Sequence, residues 1–431
     1  MAFPNPKSLV EVARSILAAA EKLDGFYDGE AQELRFPGGK PTSEQGQTMS
    51  RVVEDMLHLQ RMVLGPLGSI MSSSGNMYDI ACLHVLHDFE IAEDVPAEGT
   101  ITIAQLAAKH ELPTVQLRSI VRHAITNRIF TEPIPGAIAH TPISRRLAHD
   151  PVMRATVGML ADEMFPAAAC LSRTMRKHGT STKATETAWA LANDATRPMV
   201  EELEAEHPER AAQFAAFMKY NWTVQQPLQP LIDNFDWAAL GAQHVVDVGG
   251  GMGHASIALA KAFPELTFTV QDFKKVVQTG EQLFLSETDS QPELQARVKF
   301  MAHDAFESQP VKGASVYLLR SIFHDWPDES CVAILRALVP TLKKGSRVLV
   351  NDFVMPGPGE LGLVDERRAR SLDLTMTSLF NAREREANEW GPLFEKADSR
   401  FRFKGVRPCA INKTGLATKK LLSIIEATWI A

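Results

Sequence analysis

The 431-residue chain has only four cysteines, Cys82, Cys170, Cys331 and Cys409. They stand 88, 161 and 78 residues apart, which is neither metal-ligand spacing nor a disulfide framework, so free, buried thiols in a reducing compartment are expected. Long hydrophobic runs are missing too: Met164 to Leu171 falls well short of the roughly 18 to 20 apolar residues that cross a bilayer. The start, Met1 to Gly25, reads as a short amphipathic helix (Leu9, Val10, Val12, Ala13, Ile16, Leu17) without the basic flank and apolar core of a secretory signal. A cytoplasmic protein with no membrane partner is expected. Positive charge is not in excess; 45 Lys and Arg against 52 Asp and Glu give a net charge of −7, the wrong sign for coating a polyanion. With 26 glycines, 25 prolines, 45% hydrophobic and 23% charged residues, collagen-like, fibrous and disordered classes are excluded. At about 150 residues per domain, the length predicts two or three folded units.

What is present begins with helices. Apolar positions at helical intervals between Pro41 and Ile70 (Val52, Met56, Leu59, Met62, Val63) predict a second helix after a polar loop. Neither N-terminal helix has a private core, so both are expected to wrap around another body, such as a second copy of the chain. From Met77 to Asp150 the order is helix (Asp79 to Phe89), helix (Thr102 to His110), turn (Glu111 to Pro113), helix (Thr114 to Ala124) and two strands (Ile129 to Thr131, Ala137 to Thr141). That is the order of a winged helix-turn-helix. Its charge is wrong for DNA: between Ile101 and Pro135, Lys109, Arg118, Arg122 and Arg128 face Glu111 and Glu132. No nucleic-acid partner is expected. Residues 151–240 are Ala- and Met-rich with a helical rhythm, suited to a connector and pocket wall. After Gly241, β-branched runs at His244 to Val248, Thr267 to Asp272, Val298 to Asp304, Ser315 to Leu319, Arg347 to Val354, Phe401 to Val406 and Leu421 to Thr428 alternate with helical segments. The alternation predicts an α/β domain with a mostly parallel sheet covered on both faces. The expected domains are therefore 1–150, 151–240 and 241–431.

The segment HVVDVGGGMGHASIALA puts Asp247, Gly249, Gly251 and Gly253 between the first of these strands and a helix. Glycine there permits positive φ and lets a ligand lie against the backbone. The dinucleotide pattern G-x-G-x-x-G fails, because the sixth position from Gly249 is His254, which disfavours an NAD oxidoreductase. Asp272 ends the second strand, 21 residues after Gly251, where a carboxylate can accept from both hydroxyls of a ribose. Asp304 ends the third, within reach of an adenine amino group or simply capping a turn.

The fourth strand runs into Arg320-Ser-Ile-Phe-His324-Asp-Trp326-Pro327-Asp328 and then a helix, so His324 sits at the carboxyl end of a strand, where open α/β sheets bind ligands. Two acids are candidates to orient it: Asp352, ending the next strand, and Glu384, in the charged run Arg383 to Glu386. A carboxylate on one imidazole nitrogen fixes the tautomer and stabilises the imidazolium formed when the other takes a proton.

Taken together, VVDVGGGMGHASIALA, LLRSIFHDWPDE, VLVNDFVMP and NAREREANEW resemble the plant-type and fungal small-molecule O-methyltransferases, over nearly the whole chain from Met77 to the terminal LLSIIEATW. The resemblance implies a winged-helix dimerisation domain before a Rossmann-like, seven-stranded catalytic domain, and S-adenosylmethionine as cofactor without a metal. It implies that His324 is the general base flanked by Asp352 and Glu384, that Gly249, Gly251, Asp272, Asp304 and Arg320 line the cofactor site with Asp247 at its motif, and that the protein is a homodimer. Departures exist. Many members carry Glu at Asp352, Lys at Arg320, and an adenine-packing Met at Ala305, for which Phe306 is the available substitute. The expected acceptor is a phenol of an aromatic or polyketide-like secondary metabolite, in a flat apolar slot with Phe165, Met218, Phe323, Trp326, Met376 and Phe380 as candidate walls. The alternatives are a dehydratase or pericyclase on the same scaffold and a winged-helix DNA-binding ligand sensor.

Overall fold

Ser8 starts the first helix, Leu9–Leu23, through a reciprocal capping box with Glu11. The computed structural model describes residues 8–29, 33–36, 41–221, 226–408 and 422–431. Two units divide the chain, the first mainly Met1–Thr223 and the second mainly Val224–Leu361 with Arg368–Asn412. In the first, Leu9–Leu23 lies along the helical run Ser43–Asp88, to which it is tied by the Ser15 hydroxyl donating to Asp55. That run joins the two helices expected separately from sequence, and it breaks at Gly65 (φ 65°, ψ −176°) because Pro66 forces the residue before it out of the helical region. Its last turns bury Leu86 with Ile91, Ile103, Leu106, Val121 and Phe130 in one core.

Helices Ile103–Lys109 and Thr114–Thr126 and strands β1 (Ile101–Thr102), β2 (Phe130–Ile134) and β3 (Ala137–His140) complete a winged helix-turn-helix, the antiparallel strands ordered β1-β3-β2. Helices Pro151–Gly158 and Phe165–His178 follow, joined by a π-helical turn at Met159–Met164.

The second unit is built on a seven-stranded sheet: β4 (His244–Val248), β5 (Thr267–Asp272), β6 (Val298–Ala302), β7 (Val316–Arg320), β8 (Arg347–Asp352), β11 (Phe401–Arg407) and β12 (Ser423–Trp429). Between β8 and β11, β9 (Val354–Met355) pairs with β10 (Arg385–Glu386). The order is β11-β12-β8-β7-β4-β5-β6, parallel from β8 to β6, with β12 antiparallel to both neighbours. Both faces are covered, which is why the strands read as continuous apolar runs rather than alternating ones. Val246, Tyr317, Leu319 and Val350 pack on one side with Phe394 and Leu335; Val245, Val316, Leu318 and Leu349 pack on the other with Leu259 and Phe268.

This is a Rossmann-like α/β architecture, preceded in the chain by an N-terminal helical region. β6 stops at Ala302, short of Asp304, because Asp304 accepts the Phe306 N–H in a turn. Cys82, Cys170 and Cys331 are buried free thiols; Cys409 and the expected strand start at Leu421 lie outside the described residues. Among the described residues no helix is long and apolar enough to cross a membrane.

Candidate active site

The glycine turn leaves β4 and enters helix His254–Ala262. Gly249 and Gly251 have φ of 70° and 57°, the left-handed region that a Cβ penalises. A Cβ on Gly249 would sit 2.5 Å from Ile322 Cδ1, whereas the position of a Cβ on Gly251 is open, with nothing within 4 Å. Gly251 therefore offers bare backbone to a ligand. Asp272, at the end of β5, holds this turn: its Oδ2 accepts from Gly251 N at 2.9 Å and its Oδ1 from Phe273 N at 2.7 Å. Burial nevertheless pushes the Asp272 carboxyl above its ordinary value, against those two N–H bonds.

Asp247 lies beneath the turn, fully buried, with Oδ2 accepting from Ser256 Oγ at 2.7 Å and Oδ1 without a hydrogen-bond partner among the described residues. Burial lifts its carboxyl to about 6, opposed by the Ser256 bond and the positive charge of Arg320. Arg320 closes β7, where its Nη2 donates to the Gln226 carbonyl at 2.8 Å; Ser321, strained at φ 54°, donates its hydroxyl to the Gln226 side chain at 3.0 Å. Asp304 is on an exposed turn, and the following Phe306 meets Trp326 edge-on with ring centroids 4.9 Å apart. The carboxyl ends of β4, β5, β6 and β7 thus present an open glycine cradle, a strand-end acid and aromatic rings.

His324 sits in the single helical turn Phe323–Asp325 after β7 and is 8% exposed. Its Nδ1 is 3.2 Å from Glu384 Oε1, and Glu384 comes 60 residues later in the chain. An ionised carboxylate only accepts, so a neutral ring that donates from Nδ1 to Glu384 would leave Nε2 unprotonated. Asp325 Oδ1 is 3.5 Å from that Nε2. Asp352, fully buried at the end of β8, uses Oδ2 to accept the backbone N–H groups of Phe323 (3.0 Å) and His324 (3.2 Å), and Oδ1 to accept that of Phe353 (3.2 Å). It anchors the turn through the main chain, a mode of support its position at a strand end did not reveal. One ligand-type atom from each of His324, Asp352 and Glu384 lies within 4.8 Å of the others.

The run Arg383 to Glu386, which supplies the expected Glu384, carries four charges in a row. Read from sequence it passes for a solvated charge cluster, yet Glu384 and Arg385 are 4% and 1% exposed. Glu384 is held by its own N–H donating to Asp373 Oδ1 at 2.9 Å. Arg385 donates to the Phe323 carbonyl (2.7 Å), the Trp326 carbonyl (2.8 Å) and Asp328 Oδ1 (2.9 Å). Burial alone would raise the Asp328 carboxyl, but the Arg385 and Arg383 guanidiniums hold it below its usual range. Arg385, Asp328, Asp373 and Gln226 were not legible as site residues. Asp328 looks like an ordinary helix first-turn acid, and nothing in the sequence around the other three marks them for the site.

The candidate slot walls separate. Phe323 is fully buried and stacked on Trp390 (6.2 Å, 12°), which makes it a core residue rather than a wall. Trp326 and Phe380 are half-buried and Met376 is buried in the second unit; Phe165 and Met218 are half-buried on helices of the first.

A parallel sheet with a glycine cradle at its carboxyl edge and a buried His–carboxylate pair beside it belongs to the Rossmann-like enzymes. The chain is a member of the O-methyltransferase family, whose O-methyltransferase domain matches residues 183–400. It is 37% identical to "O-methyltransferase aoiF" of Aspergillus oryzae, over 98% of this chain and 100% of that protein. It is 33% identical to "Chlorophenol O-methyltransferase" of Trichoderma longibrachiatum, over 98% and 90%. OxaC, solved in complex with SAH and oxaline, superposes with a TM-score of 0.71 at 19% identity over 98% of both chains. "A Pericyclic Reaction enzyme" does so with a TM-score of 0.66 at 20% identity, over 97% of this chain and 100% of that one. These two structures share the fold. Membership makes the protein an enzyme, an S-adenosylmethionine-dependent O-methyltransferase.

Proposed function

We propose that the enzyme methylates a phenolic hydroxyl of an aromatic or polyketide-like secondary metabolite, with His324 as general base. The observation that carries this is the His324–Glu384 contact of 3.2 Å in a buried turn whose backbone is anchored by Asp352. A phenol has a pKa of about 10, so at neutral pH its oxygen needs a base to become nucleophilic. His324 Nε2 takes that proton, and Glu384 stabilises the imidazolium that results. Asp352 holds the ring's turn still by accepting two adjacent N–H groups, so the basic edge is aimed before substrate arrives.

The cofactor fits the residues present. Gly251 leaves room for it, Asp272 at the end of β5 keeps lone pairs beyond its two N–H bonds that would suit ribose hydroxyls, the buried Asp247 Oδ1 has an unused acceptor, and Phe306 with Trp326 would offer a wall for adenine beside Asp304. S-adenosylmethionine, when bound, supplies an electrophilic sulfonium methyl group. Arg320 supports this side of the site by bracing the exit of β7.

The expected domain division, 1–150, 151–240 and 241–431, stands as part of this reading, with the N-terminal winged helix making a homodimer. Exposed Leu64, Leu67, Ile70 and Met71 on the long helical run support that role, and the scarcity of basic residues on the winged helix speaks against a DNA-binding sensor. The test is mass spectrometry with methyl-deuterated S-adenosylmethionine and a panel of phenolic polyketides and flavonoids. A gain of three deuteriums with equal S-adenosylhomocysteine is expected. A product formed without consuming the cofactor would transfer the reading to dehydration or pericyclic chemistry.

A further inference from the structure

The catalytic turn is gripped from two sides by consecutive residues. Glu384 contacts the His324 ring, while Arg385 contacts the main chain on both sides of it, at the carbonyls of Phe323 and Trp326. Arg385 belongs to the short parallel pair β9–β10, in register with Val354, two residues after Asp352. Successive side chains of an extended segment point to opposite sides, so this one dipeptide can reach ring and backbone at once. The guanidinium is 1% exposed and placed over the Trp390 ring, 5.6 Å from its centroid. Its charge is met by Asp328, at the start of the helix that follows the turn. Cys331 adds to the grip: its sulfur lies 3.5 Å from each of the same two carbonyl oxygens, either of which can accept its single S–H, and burial pushes it up to about 12, so it remains a protonated donor. A buried arginine spending its donors on two carbonyls that bracket a histidine does more than neutralise Asp328.

We propose that Arg385 is a positioning residue for methyl transfer, locking the Phe323–Trp326 backbone so that the His324 ring stays aligned between Glu384 and the acceptor hydroxyl. The planar fork makes three directed bonds at fixed angles, which an ammonium cannot reproduce. This role rests on His324 being the base. Misalignment of the basic edge by an ångström costs up to roughly 100-fold in rate.

The test uses the full-length enzyme with the phenol that the mass-spectrometric panel shows to be methylated. Arg385→Lys keeps the buried charge opposite Asp328 and loses the fork. It should fold, bind S-adenosylhomocysteine with wild-type affinity by calorimetry, leave KM for S-adenosylmethionine unchanged, and lose roughly 10- to 100-fold in kcat. The NMR signals of the His324 ring should move from their wild-type positions. Arg383→Gln, which removes the neighbouring guanidinium from Asp328, is the control and should keep kcat within about twofold. Wild-type kcat and unmoved His324 signals in folded Arg385→Lys would overturn the proposal, as would an equal loss in Arg383→Gln. If Arg385→Lys fails to fold, Asp328→Ala carries the test, because it removes the acceptor that holds Arg385 Nε. A fall in kcat with intact cofactor affinity supports the role and an unchanged kcat overturns it. Failure of the base assignment is distinguishable, since it appears as full turnover in His324→Ala whatever the His324 signals do in Arg385→Lys.

Discussion

Replacing Glu384 with Gln removes one buried negative charge 3.2 Å from His324 Nδ1 while keeping a side chain of the same size and an oxygen that still accepts a hydrogen bond. The loss is therefore electrostatic. A hydrogen bond to a charged partner contributes about 1.5–3 kcal/mol and one between neutral groups about 0.5–1.5, so the imidazolium formed during proton removal loses about 1–2 kcal/mol of support. Converted at 1.4 kcal/mol per tenfold, kcat should fall roughly 5- to 30-fold. This is a lower bound, because a Gln that turns its amide nitrogen towards Nδ1 would also favour the tautomer with the proton on the wrong edge. Steady-state release of S-adenosylhomocysteine with saturating phenol measures kcat, and calorimetry with S-adenosylhomocysteine checks that the cofactor site is intact. A Glu384→Gln enzyme with wild-type kcat across pH 6 to 9 would refute the assignment of Glu384 to the base. A parallel loss of cofactor affinity would show that the residue supports the fold instead.

His324→Ala should lower phenol methylation by roughly 10²- to 10⁴-fold with cofactor affinity retained, and unchanged turnover on the true acceptor would remove the base from His324. Gly251→Val places a β-branched side chain at φ 57° and in the open space over the turn; calorimetry should show S-adenosylhomocysteine binding lost or severely weakened, and wild-type affinity would mean the ligand does not use this cradle. Asp247 predicts a pH dependence of stability. Its folded-state carboxyl, at about 6, lies above its unfolded value of 3.8, so its contribution is fully present below pH 3.8 and is lost as pH rises through 6. Asp247→Asn keeps a partner for Ser256 and escapes that loss, so without cofactor its stability relative to wild type should grow by up to about 3 kcal/mol between pH 4 and 7. Chemical denaturation at the two pH values measures this, and a pH-independent difference would contradict it.

Which parts of this were legible depended on the range of the physics behind them. The runs His244–Val248 and Thr267–Asp272 were readable to the residue, since β-branched stretches bounded by turn residues are a local signal. The kink at Gly65 was less so: Pro66 is visible in sequence, but that the helical run resumes after it and continues to Asp88 is not a local signal. The strand ends at Ala302 and Arg320 shifted by one or two residues, because local side-chain bonds and strand pairing, rather than composition, decide where a ladder stops.

By itself the sequence determined the order of strands and helices, the glycine turn at Gly249 to Gly253 and the location of His324 at a strand end. Each follows from the conformational limits of residues close together in the chain. Only the tertiary structure decided that Glu384 and Arg385 are buried while Arg383 stays partly exposed, that Asp352 serves the backbone of the turn, and that Phe323 belongs to the core. The four residues Arg383 to Glu386 alternate in charge and look alike in sequence. What separates them is desolvation by parts of the chain some 60 residues away, and burying a charge is tolerable only where such distant partners have already been brought into place to meet it.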